Sequence, residues 1–172
     1  MTLFKLYCHI LTIIWKLYYR VIYGNHLNMG ANFQFRKGFS LLLDAGGKVR
    51  VGDYVFFNNY CTVCAQKEIS IGDGSVFGEN VKIYDHNHIY SDPNVLIKHQ
   101  GYSSAPIHIG KHCWIGSNVT ILKGVTIGDN CVIGAGCVVY KDVPAGTILI
   151  NKQELVIKKI NSFKDERNVC QR

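Results

Sequence analysis

From Ile109 to Pro144 the chain can be ruled into consecutive segments of six: IGKHCW, IGSNVT, ILKGVT, IGDNCV, IGAGCV and VYKDVP. Position one is always Ile or Val (Ile109, Ile115, Ile121, Ile127, Ile133, Val139), and position five is Val or Cys (Cys113, Val119, Val125, Cys131, Cys137, Val143). Gly usually follows position one. A period of six is neither the 3.6 of a helix nor the 2 of a simple strand. It is satisfied by a coil with three short flat sides. Position-one side chains then stack in the interior, and backbone hydrogen bonds join successive coils at ~4.8 Å. Gly at position two suits a turn that a Cβ would obstruct.

The ruler extends backwards with flaws. VGDYVF starts at Val51, FNNYCT at Phe57, an eight-residue segment at Val63, and then IGDGSV at Ile71, FGENVK at Phe77 and IYDHNH at Ile83. Earlier still, Leu27, Phe33, Phe39 and Ala45 keep the phase weakly. One solenoid domain over 25–150 follows, with a tail or helix over 151–172. The pattern breaks once. HIYSDPNVLIKHQGYSSAP, residues 88–106, puts polar residues at core positions, and it is expected to leave one corner as an excursion loop and return at Ile107. Long loops on a regular scaffold usually carry function.

The repeat also disposes of most of the seven cysteines. Cys61, Cys113, Cys131 and Cys137 stand at position five and read as buried free thiols in a reducing cytoplasm. The lone CxxC of Cys61 and Cys64 has no second pair at zinc spacing. No metal site is expected.

Residues 1–24 are apolar but interrupted by Lys5, His9, Lys16 and Arg20, which fall on one helical face. The longest run without Lys or Arg is ten residues, Leu6–Trp15, well short of the ~20 a spanning helix needs. No small-residue cleavage site of a signal peptide is visible. An amphipathic helix follows, and two uses compete for it: packing on a neighbouring subunit, or lying on a membrane surface. The net charge of +7 and the lack of Asp or Glu before Asp44 fit an anionic membrane. The expected location is the cytoplasm, with the inner membrane face as the peripheral option. No basic-aromatic stripe or nucleic-acid motif is present, so no nucleic-acid partner is expected.

The stretch APIHIGKHCWIGSNVTILKGVTIGDNCVIGAGCVVYKDVPAG, residues 105–146, closely resembles the acetyl-coenzyme A-dependent O-acetyltransferases built on hexapeptide repeats. Galactoside and maltose acetyltransferases and capsule or lipopolysaccharide acetyltransferases are the nearest kin. The resemblance is high over 69–146 and weak before Ala45. It implies an all-β, left-handed parallel β-helix that forms trimers with the active site between subunits. It implies acetyl-coenzyme A as co-substrate and no metal.

The family's general base, a histidine at the start of the excursion loop, falls on His88, with His86 one register step away. Asp85 or a backbone carbonyl would orient it. An acceptor-binding asparagine falls on Asn58, with Asn59 beside it. Gln66 stands where the family often has an acidic acceptor ligand, which leaves the acceptor open. Ser117 and Ala135 match small residues along the coenzyme A edge. Trp114 matches an aromatic near the acyl-pantetheine end, and Lys141 and Lys158 match lysines near the phosphates and the nucleotide. INKQE, residues 150–154, replaces the usual GNPA-like ending.

The expected acceptor is a sugar hydroxyl of an envelope polysaccharide or its precursor. An amine on a nucleotide sugar, a serine or an antibiotic is the alternative. Histidine suits the task because its pKa lies near working pH, so it can take the hydroxyl proton as the oxygen attacks the thioester. Ser117 or nearby backbone N–H groups are candidates to stabilise the oxyanion. A zinc-dependent, carbonic anhydrase-like branch of the same fold would need histidines where Ser117 and Leu122 stand, and His86 with His88 cannot complete such a site.

Overall fold

The position-one side chains form three vertical stacks. Met29, Val51, Ile71, Ile109 and Ile127 pair in register along the first face. Phe35, Phe57, Phe77, Ile115, Ile133 and Leu149 do so along the second. Leu41, Val63, Ile83, Ile121 and Val139 form the third. All but Leu149 are buried. Each such side chain contributes roughly 1.5–3 kcal/mol of burial, so the stacks are the main source of cohesion. This computed structural model describes residues 3–152, 154, 156 and 157, with side chains from residue 10 onward. Its parallel sheets have five, six and five strands, each strand two to four residues long.

The two features that close each corner have different causes. Position four takes the left-handed conformation at Asn32, Tyr54, Tyr60, Asn80, His112, Asn118 and Asn130, with φ between 54° and 61°. Asn adopts that region more readily than most residues. The position-two glycines have ordinary φ. Their reason is crowding from the next coil: a Cβ on Gly72 would sit 2.7 Å from the carbonyl carbon of Gly110. The obstruction therefore comes from the neighbouring coil, and the turn conformation belongs to position four.

Coil length varies at one corner only. The steps from first to second face and from second to third face are six residues in every coil. The step from third face back to first is ten residues from Leu41 to Val51, eight from Val63 to Ile71, and twenty-six from Ile83 to Ile109. From Ile121 to Ile127 it is six, and from Val139 to Val143 it is four, so Val143 pairs with Ile127 at position one and not at the expected position five. The four extra residues in the turn Asp44–Gly47 correct one expectation. Position one of the first coil is held by Met29, Phe35 and Leu41, and not by Leu27, Phe33 and Phe39. Leu27 and Phe33 are still buried, because they occupy position five opposite Val49 and Val55.

The excursion is a hairpin. His86–His88 runs antiparallel to Tyr102–Ser104, with His88 opposite Tyr102 and His86 opposite Ser104. It is tied to the solenoid by the Ala105 N–H donating to the Asp85 carbonyl at 2.9 Å and by Lys123 Nζ donating to Ser103 Oγ at 2.5 Å.

Helix α1, Leu3–Tyr23, lies across the open end of the first coil. An uncovered end coil would leave backbone carbonyls without partners and its core open to water. Thr12 Oγ1 donates to the Phe35 carbonyl at 3.0 Å, and the hydroxyls of Tyr19 and Tyr23 reach the Phe39 and Leu41 carbonyls at 3.3 and 3.0 Å. Tyr19 is buried among Phe35 and Phe39. Capping its own solenoid is thus a third use of this helix, beyond the two raised by its sequence. Among the described residues, no helix is long and apolar enough to cross a membrane.

Candidate active site

The candidate residues separate onto two edges of the solenoid. Asp85, His86 and His88 follow the third-face strand Lys82–Tyr84, at the variable corner. Lys123 and Lys141 follow the third-face strands Thr120–Ile121 and Val138–Val139, so they belong to the same edge. Asn58, Ser117 and Ala135 instead follow second-face strands. Their corners stack through backbone bonds from the Asn58 N–H to Phe77 O, from Gly78 N–H to Ile115 O and from Gly116 N–H to Ile133 O. Trp114 stands on the outer surface of that second face, 60% exposed, between Val76 and Val132.

The root of the histidine edge is held by a buried carboxylate. Asp85 is fully buried. Its Oδ1 accepts the Gln66 N–H at 2.8 Å, and its Oδ2 accepts the Lys67 N–H at 2.7 Å. Nδ1 of His86 lies 3.0 Å from the same Oδ1. A carboxylate only accepts, so Nδ1 carries the proton and Nε2 is the basic nitrogen of the neutral ring. The orienting role weighed for Asp85 therefore goes to His86, because the short turn brings residue 86 and not 88 against the carboxylate. His88 is exposed, and its ring lies 4.4 Å from that of Tyr102. Tyr102 also meets His86 edge-on at 5.3 Å. Both histidines thus share one face of the hairpin with Tyr102, which the sequence reading missed. Antiparallel pairing of 86–88 with 102–104 would have exposed that link.

The other edge is closely packed. Gly116 is pressed against Ala135, whose N lies 2.6 Å from where a Cβ would stand. Ser117 Oγ accepts the Glu79 N–H at 3.1 Å, which leaves its own O–H to donate. Asn58 Oδ1 accepts from the Asn59 N–H at 2.9 Å and from Arg36 at 3.2 Å, so it braces the corner and has its amide Nδ2 to offer an acceptor. Lys141 is exposed with Nζ 5.7 Å from the Tyr140 ring centre. Lys158 lies outside the described residues. Among the described residues no group of three or more His, Cys, Asp or Glu gathers as a metal would require. Burial pushes the Cys61 and Cys113 thiols above their ordinary pKa, as expected for core filling.

Residues 106–141 match the family model described as the hexapeptide repeat of succinyl-transferase. The chain is 33% identical to WbbJ of Escherichia coli (strain K12), a candidate O-acetyl transferase of lipopolysaccharide biosynthesis, over 78% of this chain and 72% of that protein. It is similar to a solved maltose O-acetyltransferase from Clostridium difficile 630, with 34% identity, a TM-score of 0.64 and coverage of 83% and 74% of the two chains. A galactoside acetyltransferase solved in complex with coenzyme A gives 33% identity, a TM-score of 0.62 and coverage of 81% and 70%. The chain belongs to the hexapeptide-repeat acetyltransferases.

Proposed function

We propose that this protein transfers an acetyl group from acetyl-coenzyme A to a hydroxyl of a sugar in an envelope polysaccharide or its precursor, with His88 as general base. The observation that carries the reading is the division of the candidate residues. A histidine edge and a small-residue edge on different corners complete one site when two copies meet, as in a trimer. The residues fit acetyl-coenzyme A: a strip of small residues at Ser117 and Ala135 for close backbone approach, Trp114 exposed beside it, and Lys141, on the histidine edge, for the phosphates.

The chemistry assigned to this chain is proton transfer and orientation. His88 takes the hydroxyl proton while the oxygen bonds to the thioester carbonyl carbon. The Ser117 O–H or an adjacent backbone N–H donates to the oxyanion. As the carbon–sulfur bond breaks, the histidinium returns its proton to the departing thiolate. No enzyme thiol or hydroxyl becomes acylated, because the donor is already activated.

A second reading gives the base to His86, favoured by its contact with the buried Asp85. That contact fixes the tautomer a base requires. Thiol release from acetyl-coenzyme A tests the function, with oligosaccharides, amino sugars and serine as competing acceptors. Turnover with hydroxyl-bearing sugars alone supports O-acetylation. Preference for the amine overturns it.

A further inference from the structure

We propose that helix α1 docks the enzyme on an anionic membrane surface through the face it turns away from the solenoid. The inward face is occupied by Thr12, Tyr19 and Tyr23, which hold the end coil. The outward face carries Ile10, Ile13, Ile14, Leu17, Tyr18 and Val21, all exposed, with Val21 at 84%. At 100° per residue these positions fill one continuous arc, with Trp15 and Ile22 at its margin. No charged residue lies within that arc. Monomeric soluble surfaces seldom present so large an unbroken apolar patch without a partner.

Charge identifies the partner. Arg20 lies along one flank of the arc and is exposed, and Lys16 lies beside it with Nζ 5.5 Å from the Phe33 ring centre. Lys37 lies in the end-coil turn that follows Phe35, to whose carbonyl the helix is bonded. The sequence contains no acidic residue before Asp44. A cationic flank with no acidic counterpart beside an apolar face matches anionic headgroups over acyl chains. A second copy paired helix to helix fits poorly. An isologous contact would set the same cations against each other with no carboxylate between them. Trp15 and Tyr18 on the exposed side are the residue types that settle at the headgroup level.

The geometry is compatible with the solenoid standing on its capped end. The helix lies across the first coil, while the histidine hairpin begins after residue 84, two coils higher. The site would then be held a short distance above the surface, where a lipid-carried sugar precursor is presented. That last point rests on the proposed acceptor, and the docking does not.

Flotation of the full-length protein with vesicles of phosphatidylcholine containing about a third phosphatidylglycerol tests the docking. Binding is expected to the mixed vesicles, to fall at least tenfold with pure phosphatidylcholine, and to fall steeply with added salt. The triple variant Ile14→Glu, Leu17→Glu, Val21→Glu alters only exposed positions and should lose vesicle binding while keeping thiol release with a water-soluble acceptor. In a Trp114→Phe background, the Trp15 emission should shift to the blue on adding anionic vesicles. Failure to float with anionic vesicles overturns the proposal. So does a triple variant that binds lipid normally, or one that dissociates a lipid-free oligomer, which would assign the face to another copy. None of these readings depends on which acceptor is acetylated.

Discussion

The carboxylate of Asp85 holds the imidazole of His86 through Nδ1 at 3.0 Å, and the same carboxylate receives two backbone N–H groups from Gln66 and Lys67. The root of the hairpin is therefore fastened to the preceding coil by one buried side chain. Asp85→Ala would strand two inward backbone donors. The expected loss is about 3 kcal/mol, from unsatisfied buried groups. Asp85→Asn keeps one acceptor oxygen and should lose less. Urea unfolding reads both; an Ala variant as stable as the wild type would show that the carboxylate holds nothing.

His88→Ala should lower kcat by ~10²-fold or more, the range for a lost general base, with the KM for acetyl-coenzyme A little changed. His86→Ala should lose less, since its ring supports Tyr102 and not the acceptor. The reverse order would move the base to His86 and make Asp85 its orienting group.

The division between edges predicts complementation. His88→Ala lacks the base, and Ala135→Trp blocks the small-residue strip. Each alone should be inactive. Subunits of the two mixed by unfolding and refolding, or by co-expression, should recover roughly a quarter of full activity if a site joins neighbouring copies in a cyclic trimer. Absence of recovery in oligomers shown to be mixed would place the whole site within one chain.

Much of this molecule was legible because its period is rigid. Counting sixes placed the position-one residues from Val51 to Val139 and the position-five residues Cys113 to Cys137, but it put Val143 at position five where the structure pairs it with the position-one Ile127. The excursion that the polar run marked opens at His86, two residues before the expected His88. Counting failed before Val51. A four-residue insertion in a turn changes the phase without leaving a hydrophobic signature, and Leu27 and Phe33 are apolar in either register. The His86–Asp85 contact was also hidden: which of two neighbouring histidines meets a carboxylate depends on the turn between a parallel strand and an antiparallel one. Tyr102 lies sixteen residues from His86 in sequence and meets it only through the hairpin.

The glycine and asparagine positions make opposite predictions. Gly72→Ala introduces a Cβ 2.7 Å from the Gly110 carbonyl carbon, which belongs to backbone and cannot swing aside. A loss of ~2–3 kcal/mol is expected, as for overpacking of a tight core. Asn130→Gly places a permissive residue at φ 57° and should change stability by less than ~1 kcal/mol. Thermal melts compare them directly, and similar losses at both sites would refute the distinction between crowding and conformation.

Burial raises the pKa of the Cys61 and Cys113 thiols, so the reactive thiolate is scarcer than in a free thiol at neutral pH. Native protein treated with iodoacetamide at pH 7.5 should leave both unmodified, and urea should expose both. Peptide mapping distinguishes them from the other cysteines. Rapid native labelling of Cys113 would contradict its place in the core.

The one corner of variable length has a consequence for descent. Residues can be added after the third face without moving any rung on the first or second, since each coil resumes register at its next apolar residue. The hairpin bearing the histidines grows from that corner, and the strip at Ser117 and Ala135 does not. On the proposed assignment, lineages sharing this scaffold can change what they acetylate by editing one margin of the coil, while the margin assigned to the donor keeps its spacing.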